Sequence, residues 1–225
     1  MKVGAVIPAA GVSARMGVDK LLMELEGSPI LAYTIRAFEI SPSIDEIVVV
    51  AAKSNQERIK RLVRDLSFAK VSNVCLGGAR RQDSVWKGIS ALSACDWVVI
   101  HDGARPFVSQ ALIETGLTEA LATGSAIAAV PVKDTIKTAD ERGIVQSTLP
   151  RKFLWSVQTP QVFRHDIICD AYKNVVEDVT DDAQMVELRG WPVKVYTGSY
   201  DNIKITTVED LDLARLILSR LRGTI

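Results

Sequence analysis

The chain has 225 residues, and its 27 Lys and Arg are matched by 27 Asp and Glu. That balance argues against general affinity for nucleic acid, which needs a basic surface, but leaves room for a local basic pocket. No apolar run reaches about 18 residues, so no membrane span is expected. Cys75, Cys95 and Cys169 are too scattered for a zinc site or a disulfide frame.

The first strand is expected over residues 3–7, with no charged, apolar and cleavage regions of a secretory signal before it. A cytoplasmic protein with reduced thiols is the expectation. The strand runs into a loop of small residues, Ala9-Ala10-Gly11-Val12-Ser13, whose backbone N–H groups can face a phosphate chain. Arg15 and Lys20 add two cations. The common fingerprints do not fit, because Ser13 replaces the second glycine of one and Lys20 lacks the following Ser or Thr of the other.

A buried strand follows over residues 47–51. A helix is expected over 56–66, with Ile59, Leu62, Val63 and Leu66 on one face. Strands at 71–76 and 97–101, a helix at 109–122 begun by Ser109, and a strand at 125–130 continue the alternation. Such a chain builds a mostly parallel sheet covered on both faces. Ligands then sit beyond the carboxyl ends of the strands, where the first loop, Gly77-Gly78 and Asp102 should converge.

Residues 133–152 break the pattern. Two polar strands flank the turn Asp140-Glu141-Arg142-Gly143, which reads as a protruding hairpin arm. Helices at 164–177 and 181–188, a strand at 193–196 and a helix at 208–221 complete the chain. With no repeat or linker, residues 1–225 read as a single α/β domain: a Rossmann-like, twisted, mostly parallel sheet with an arm. A lone hairpin is marginal in water, and Ile136, Ile144, Val145 and Leu149 need something to pack on. A second copy is the economical answer, which predicts a homodimer.

Gly77-Gly78-Ala79-Arg80-Arg81-Gln82-Asp83-Ser84-Val85, His101-Asp102-Gly103-Ala104-Arg105-Pro106 and Asp134-Thr135-Ile136-Lys137 stand in the first two thirds of the chain. Gln158-Thr159-Pro160-Gln161, Thr180-Asp181-Asp182 and Asp201-Asn202-Ile203-Lys204 follow. With the first loop, this ordered set resembles the 2-C-methyl-D-erythritol 4-phosphate cytidylyltransferase family of the non-mevalonate isoprenoid pathway. The resemblance implies transfer of CMP from CTP to that polyol phosphate, with release of pyrophosphate. It implies Arg15 and Lys20 as transition-state cations, with a purely binding role for either as the alternative. Ala9, Ala10, Gly11, Gly78, Ser84 and Asp102 match nucleotide-contacting positions. Arg105, Thr135, Arg151, Thr159 and Lys204 match positions around the acceptor.

Asp102 and Asp201 match the acidic positions near Mg²⁺ or another divalent cation, a metal that takes oxygen ligands. Asp83, Asp181 and Asp182 compete by composition, and Asp83 also suits a helix start. Ala79 stands where many members carry an acidic or polar residue, so only its backbone can contact the base. His101 is expected to fix a strand end or to pack by the metal site rather than to act as a base, and His165 to be structural. Trp155 suits either the acceptor pocket or the core. The family's arm reaches across a homodimer, so Thr135 and Arg151 would serve the partner's site. Ribitol 5-phosphate as acceptor, a UTP- or dTTP-dependent sugar-1-phosphate enzyme and a non-catalytic nucleotide sensor are the rival readings.

Overall fold

The structure, a computed structural model, describes residues 1–11 and 20–223. From the N-terminus come β1 (Val3–Ala9), a short hairpin of β2 (Glu24–Leu25) and β3 (Ser28–Pro29), α1 (Ile30–Glu39) and β4 (Glu46–Ala51). Next are α2 (Gln56–Asp65), β5 (Val71–Leu76), α3 (Arg81–Ala91), β6 (Trp97–Ile100), α4 (Gln110–Thr123) and β7 (Ser125–Pro131). The arm strands β8 (Lys137–Ala139) and β9 (Val145–Thr148) precede β10 (Trp155–Arg164), α5 (His165–Asn174), α6 (Asp182–Leu188), β11 (Lys194–Thr197) and α7 (Glu209–Leu221).

Seven strands form one mixed sheet in the order β11-β7-β10-β6-β1-β4-β5. β1 is an interior strand parallel to both neighbours, pairing Ile7 with Val49 and Val6 with Ile100. Successive side chains point to opposite faces. Ala5, Ile7, Val49 and Val99 therefore join one core cluster, and Val6, Val50, Val98 and Ile100 join the other. Both faces are buried, which is why these strands read as unbroken apolar runs.

β10 is a strand that the sequence reading did not contain. It runs antiparallel between β6 and β7. Its Gln158, Thr159 and Gln161 are buried polar residues, and Pro160 argues against an interior strand. The pairing with β7 slips between Val157 and Gln161, so Pro160 falls at the break in the ladder. α1 is also an addition, whereas α3 is the helix expected near Ser84; Asp83 stands in its first turn, where its carboxylate accepts the Arg80 N–H at 3.1 Å.

The expected helix at 164–177 ends at Asn174. Ser109 caps α4 by accepting the Leu112 N–H, and Gly124 ends it at φ 83°, a left-handed conformation that favours glycine. α7 lays Leu211, Ala214 and Ile217 against Leu25, Ile30 and Phe107. β8 and β9 pair with each other, and every residue in them is exposed. Among the described residues no helix is long and apolar enough to cross a membrane. The carboxyl ends of the parallel strands share one edge, which brings residues 10–11, 77–78, 102 and 199–204 together.

Candidate active site

At that edge a cavity of about 320 Å³ is lined by Ala10, Gly11, Lys20, Gly78, Ser84 and Asp102, among others. Ala9 lies beneath it, buried, with its carbonyl accepting from Asn55 Nδ2 at 3.3 Å. The walls are close. A Cβ on Gly77 would lie 2.6 Å from the Ala10 methyl and 2.7 Å from Ser84 Oγ, so only glycine fits there. The Ser84 hydroxyl donates to the Arg80 carbonyl at 3.1 Å and accepts the Gly78 N–H at 3.0 Å. It thereby ties the turn after β5 to α3. Arg15 lies outside the described residues.

A second cavity of about 500 Å³ adjoins the first and is lined by Arg105, Gln158, Thr159, Gln161, Asp181 and Lys204, among others. Arg81, Asp102 and Lys204 line both cavities and form the partition between them. Asp102 is ringed by cations. Lys204 Nζ lies 2.9 Å and Arg105 Nε 3.4 Å from Oδ2, and Arg81 Nη2 lies 3.6 Å from Oδ1. Burial works to raise the carboxyl's pKa, but Lys204, Arg81 and Arg105 outweigh it and hold the group well below the usual carboxylate range. Arg105 also donates from Nη1 to the Asn202 carbonyl at 2.8 Å, anchoring the loop that carries Lys204.

Behind Asp102, His101 has no solvent exposure. Burial lowers its pKa to about 4, so the ring is neutral at pH 7. Nε2 lies 3.1 Å from the Arg105 carbonyl and Nδ1 lies 3.1 Å from Thr159 Oγ1. Both ring nitrogens are engaged, and the ring lines neither cavity. It fixes the strand end, as its position after β6 suggests.

Other expected site residues lie apart in the single chain. Asp201 lines neither cavity, and its carboxylate pairs with Arg220 of α7 at 2.5 Å. Thr135 is exposed at the root of the arm. Arg151 donates to the Lys133 carbonyl at 2.7 Å, away from both cavities. Trp155 opens β10 and is 39% exposed, neither core nor cavity wall. His165 begins α5. Arg81 is a residue that sequence reasoning missed, because a second arginine at a helix start looks like a solvated cation.

Oxygen donors suited to Mg²⁺ are sparse. Asp102 is the carboxylate on the partition, and the described residues contain no group of three or more acidic, His or Cys side chains able to hold a metal. One carboxylate fits Mg²⁺ when phosphate oxygens and water complete the shell.

A sequence model of the 2-C-methyl-D-erythritol 4-phosphate cytidylyltransferase family matches residues 3–220. An enzyme of that name from Dehalococcoides mccartyi strain 195 is 53% identical over 220 residues, covering 97% of each chain. Another, from Pelotomaculum thermopropionicum, is 44% identical over 99% of this chain and 96% of its own. Among solved structures, the 4-diphosphocytidyl-2C-methyl-D-erythritol synthase of Anaerococcus prevotii superposes with a TM-score of 0.87 at 33% identity, covering 97% of this chain and 96% of that one. The cytidylyltransferase of Thermus thermophilus gives 0.80 at 32% identity, covering 98% and 100%. With two adjoining cavities at the carboxyl edge of the sheet, the chain belongs to the 2-C-methyl-D-erythritol 4-phosphate cytidylyltransferase family of nucleotidyltransferases.

Proposed function

We propose that CTP occupies the first cavity, that 2-C-methyl-D-erythritol 4-phosphate enters the second, and that they react across the partition. The observation that carries this reading is the sharing of Arg81, Asp102 and Lys204 by both cavities. A phosphate oxygen of the acceptor attacks the α-phosphorus in line, the new P–O bond forms, and pyrophosphate leaves with its bonding electrons. The nucleophile is already charged near neutral pH, because the second phosphate pKa is about 6. No general base is required, consistent with a neutral, enclosed His101. Catalysis then rests on positioning and on offsetting phosphate charge.

Lys20 lines the nucleotide cavity and serves this purpose with Arg15. The backbone of Ala10, Gly11 and Gly78 cradles the nucleotide, with Ala9 and Ser84 holding that backbone in place. Lys204 and Arg105 face the acceptor phosphate, and Thr159 supports the pocket. Asp102 would hold Mg²⁺, which when bound neutralises charge on the phosphates. Asp201 reaches the metal only by leaving Arg220.

The working unit in this reading is a homodimer of single-domain subunits. Ile144, Val145 and Phe153 are 57%, 56% and 71% exposed on or beside the arm, an apolar surface suited to a second copy. Thr135 and Arg151 then act in the partner's acceptor pocket. The cytoplasm is the expected compartment. Pyrophosphate release should be measured with each of four nucleoside triphosphates and with methylerythritol phosphate or ribitol 5-phosphate. CTP with methylerythritol phosphate should be fastest and should need a divalent cation. Faster turnover with ribitol 5-phosphate or UTP overturns the assignment.

A further inference from the structure

Arg81 and the Thr180-Asp181-Asp182 segment have no task in the reaction as set out above. Asp182 begins α6 with no solvent exposure. A carboxylate in that position must be neutralised and hydrogen-bonded. Oδ1 accepts the Tyr172 hydroxyl at 2.5 Å, and Oδ2 accepts from Arg81 Nη2 at 2.8 Å. Tyr172 is itself stacked on Trp86 of α3, with ring centroids 5.5 Å apart and planes at 14°. Asp182 lines neither cavity, yet it clamps a residue that lines both.

The clamped group is Nη2, the same nitrogen that lies 3.6 Å from Asp102 Oδ1. Lys204 and Arg105 lie on the other oxygen, Oδ2. The two cations that line both cavities differ in how they are held. Lys204 is a point charge on a flexible stem, 40% exposed, and can turn to an incoming phosphate. Arg81 presents a planar fork whose position is set by a buried partner. When Lys204 leaves Asp102 for the acceptor, a carboxylate facing two phosphorylated substrates loses its nearest counter-charge.

We propose that Arg81 is a positioning residue for the transfer: clamped by Asp182, it holds the Asp102 carboxylate in place at the partition while Lys204 engages the acceptor phosphate. This rests on the cytidylyl-transfer reading above. It assigns to Asp182 the task of anchoring the site from behind.

The test uses the full-length enzyme with Arg81→Gln and Asp182→Asn combined. The pair replaces two charges by two amides, so no buried charge is stranded and Tyr172 keeps an acceptor. The melting temperature should stay near that of the wild type. Loss of a supporting partner of this kind commonly costs about 10–100-fold in activity, and the loss should fall on kcat. Both KM values should stay within about threefold, the signature of an interaction that matters in the transition state.

Arg81→Lys gives a second reading that leaves Asp182 neutralised. The Lys side chain is one bond shorter and lacks the rigid guanidinium plane, so its ammonium is not held at the Nη2 position between both carboxylates, and kcat should fall with the fold intact. This variant decides the matter if the double variant does not melt cooperatively. A folded double variant, or a folded Arg81→Lys, with kcat within about twofold of wild type overturns the proposal. So does a defect confined to the KM for CTP, which would make Arg81 a nucleotide-binding group. Failure of the wild type itself to transfer CMP to methylerythritol phosphate sinks the parent reading instead.

Discussion

Thr159 Oγ1 lies 3.1 Å from His101 Nδ1, and the direction of the proton between them is set from both ends. On the far side of the ring, Nε2 faces the Arg105 carbonyl, which can only accept. Nε2 therefore carries the proton of the neutral imidazole, and Nδ1 is the acceptor. The Thr159 hydroxyl must donate to it. A lone pair of Oγ1 is left to receive the Asp102 N–H at 3.0 Å. The chain of donors runs from Asp102 through Thr159 and His101 to Arg105, and ties two site residues to the end of β6. Because its proton is committed to His101, the hydroxyl supports the acceptor pocket from behind.

Thr159→Val keeps the shape and removes both hydrogen bonds. It strands the buried Asp102 N–H, which costs about 1–3 kcal/mol. Chemical denaturation should register that loss, and kcat should fall with it because Asp102 is no longer fixed. Thr159→Ser restores the hydroxyl and should recover both. A Thr159→Val enzyme of normal stability with only a raised KM for the acceptor would show that the hydroxyl binds substrate directly.

Lys20→Ala tests the loop cation that the structure describes. Lys20 lines the nucleotide cavity, where charge on the triphosphate must be offset as the bond to pyrophosphate breaks. Removing one preorganised contact to developing charge commonly costs about 10²–10³ in kcat. Steady-state kinetics should show that loss, with a smaller rise in the KM for CTP; Arg15→Ala should behave alike. Near-normal turnover with weakened CTP binding would reduce Lys20 to a binding group.

The parts of this fold that sequence reveals are those built on apolar burial. Val48, Val49 and Val50 of β4 are enclosed on both faces, so the strand stands out as an uninterrupted β-branched run. β10 is enclosed by a different device. Gln158 donates to the Ser199 carbonyl, Gln161 donates to Asp181, and Thr159 is held as above. A strand buried through hydrogen bonds carries no hydrophobic period, and Pro160 argues against it. α1 did carry a helical signal, in Ile30, Leu31, Thr34, Ile35 and Phe38, all of which are buried.

The site divides along similar lines. Lys20, Gly78, Asp102 and Lys204 stand at strand ends or in short motifs, and the folded chain brings them to one cavity. Arg81 meets carboxylates on β6's loop and on α6, a proximity that exists only after folding. Asp201, which the resemblance places near the metal, pairs with Arg220 of α7 in the single chain, another proximity that exists only after folding.

Far from the site, Glu46 provides a pH-dependent contribution to stability. It is 7% exposed. Burial works to raise its pKa, but hydrogen bonds from Ser72 and from the backbone and hydroxyl of Ser93 outweigh this and lower it. The unfolded chain then binds more protons than the native one through the acid range, so stability rises with pH there. The contribution is present in full above the ordinary Glu pKa and is lost as pH falls through the lowered one. Glu46→Gln should therefore cost stability at pH 7 and progressively less as the pH approaches 3, a convergence that urea denaturation at each pH can follow. A difference independent of pH would assign the effect to packing alone.

The arm offers the sharpest test of assembly. β8 and β9 have no partner strands beyond each other among the described residues, and their side chains are exposed. Lys133 Nζ lies 3.6 Å from the centre of the Tyr200 ring, and the Tyr200 hydroxyl donates to the Pro131 carbonyl at 2.7 Å. The root is thus fixed on the body while the tip projects. If the arm completes a neighbouring subunit's pocket, Arg151 acts across the dimer and Lys20 acts within its own chain. Lys20→Ala and Arg151→Ala enzymes should each be inactive alone. In a mixed dimer, one site carries both defects, while the other has its own Lys20 and receives an intact arm. Equal mixing with free exchange of subunits should restore about a quarter of wild-type activity, since half the dimers are mixed and each has one sound site. Exchange can be followed independently by labelling the two variants with different fluorophores. Demonstrated exchange without recovered turnover would leave each pocket dependent on its own arm and end the shared-site account.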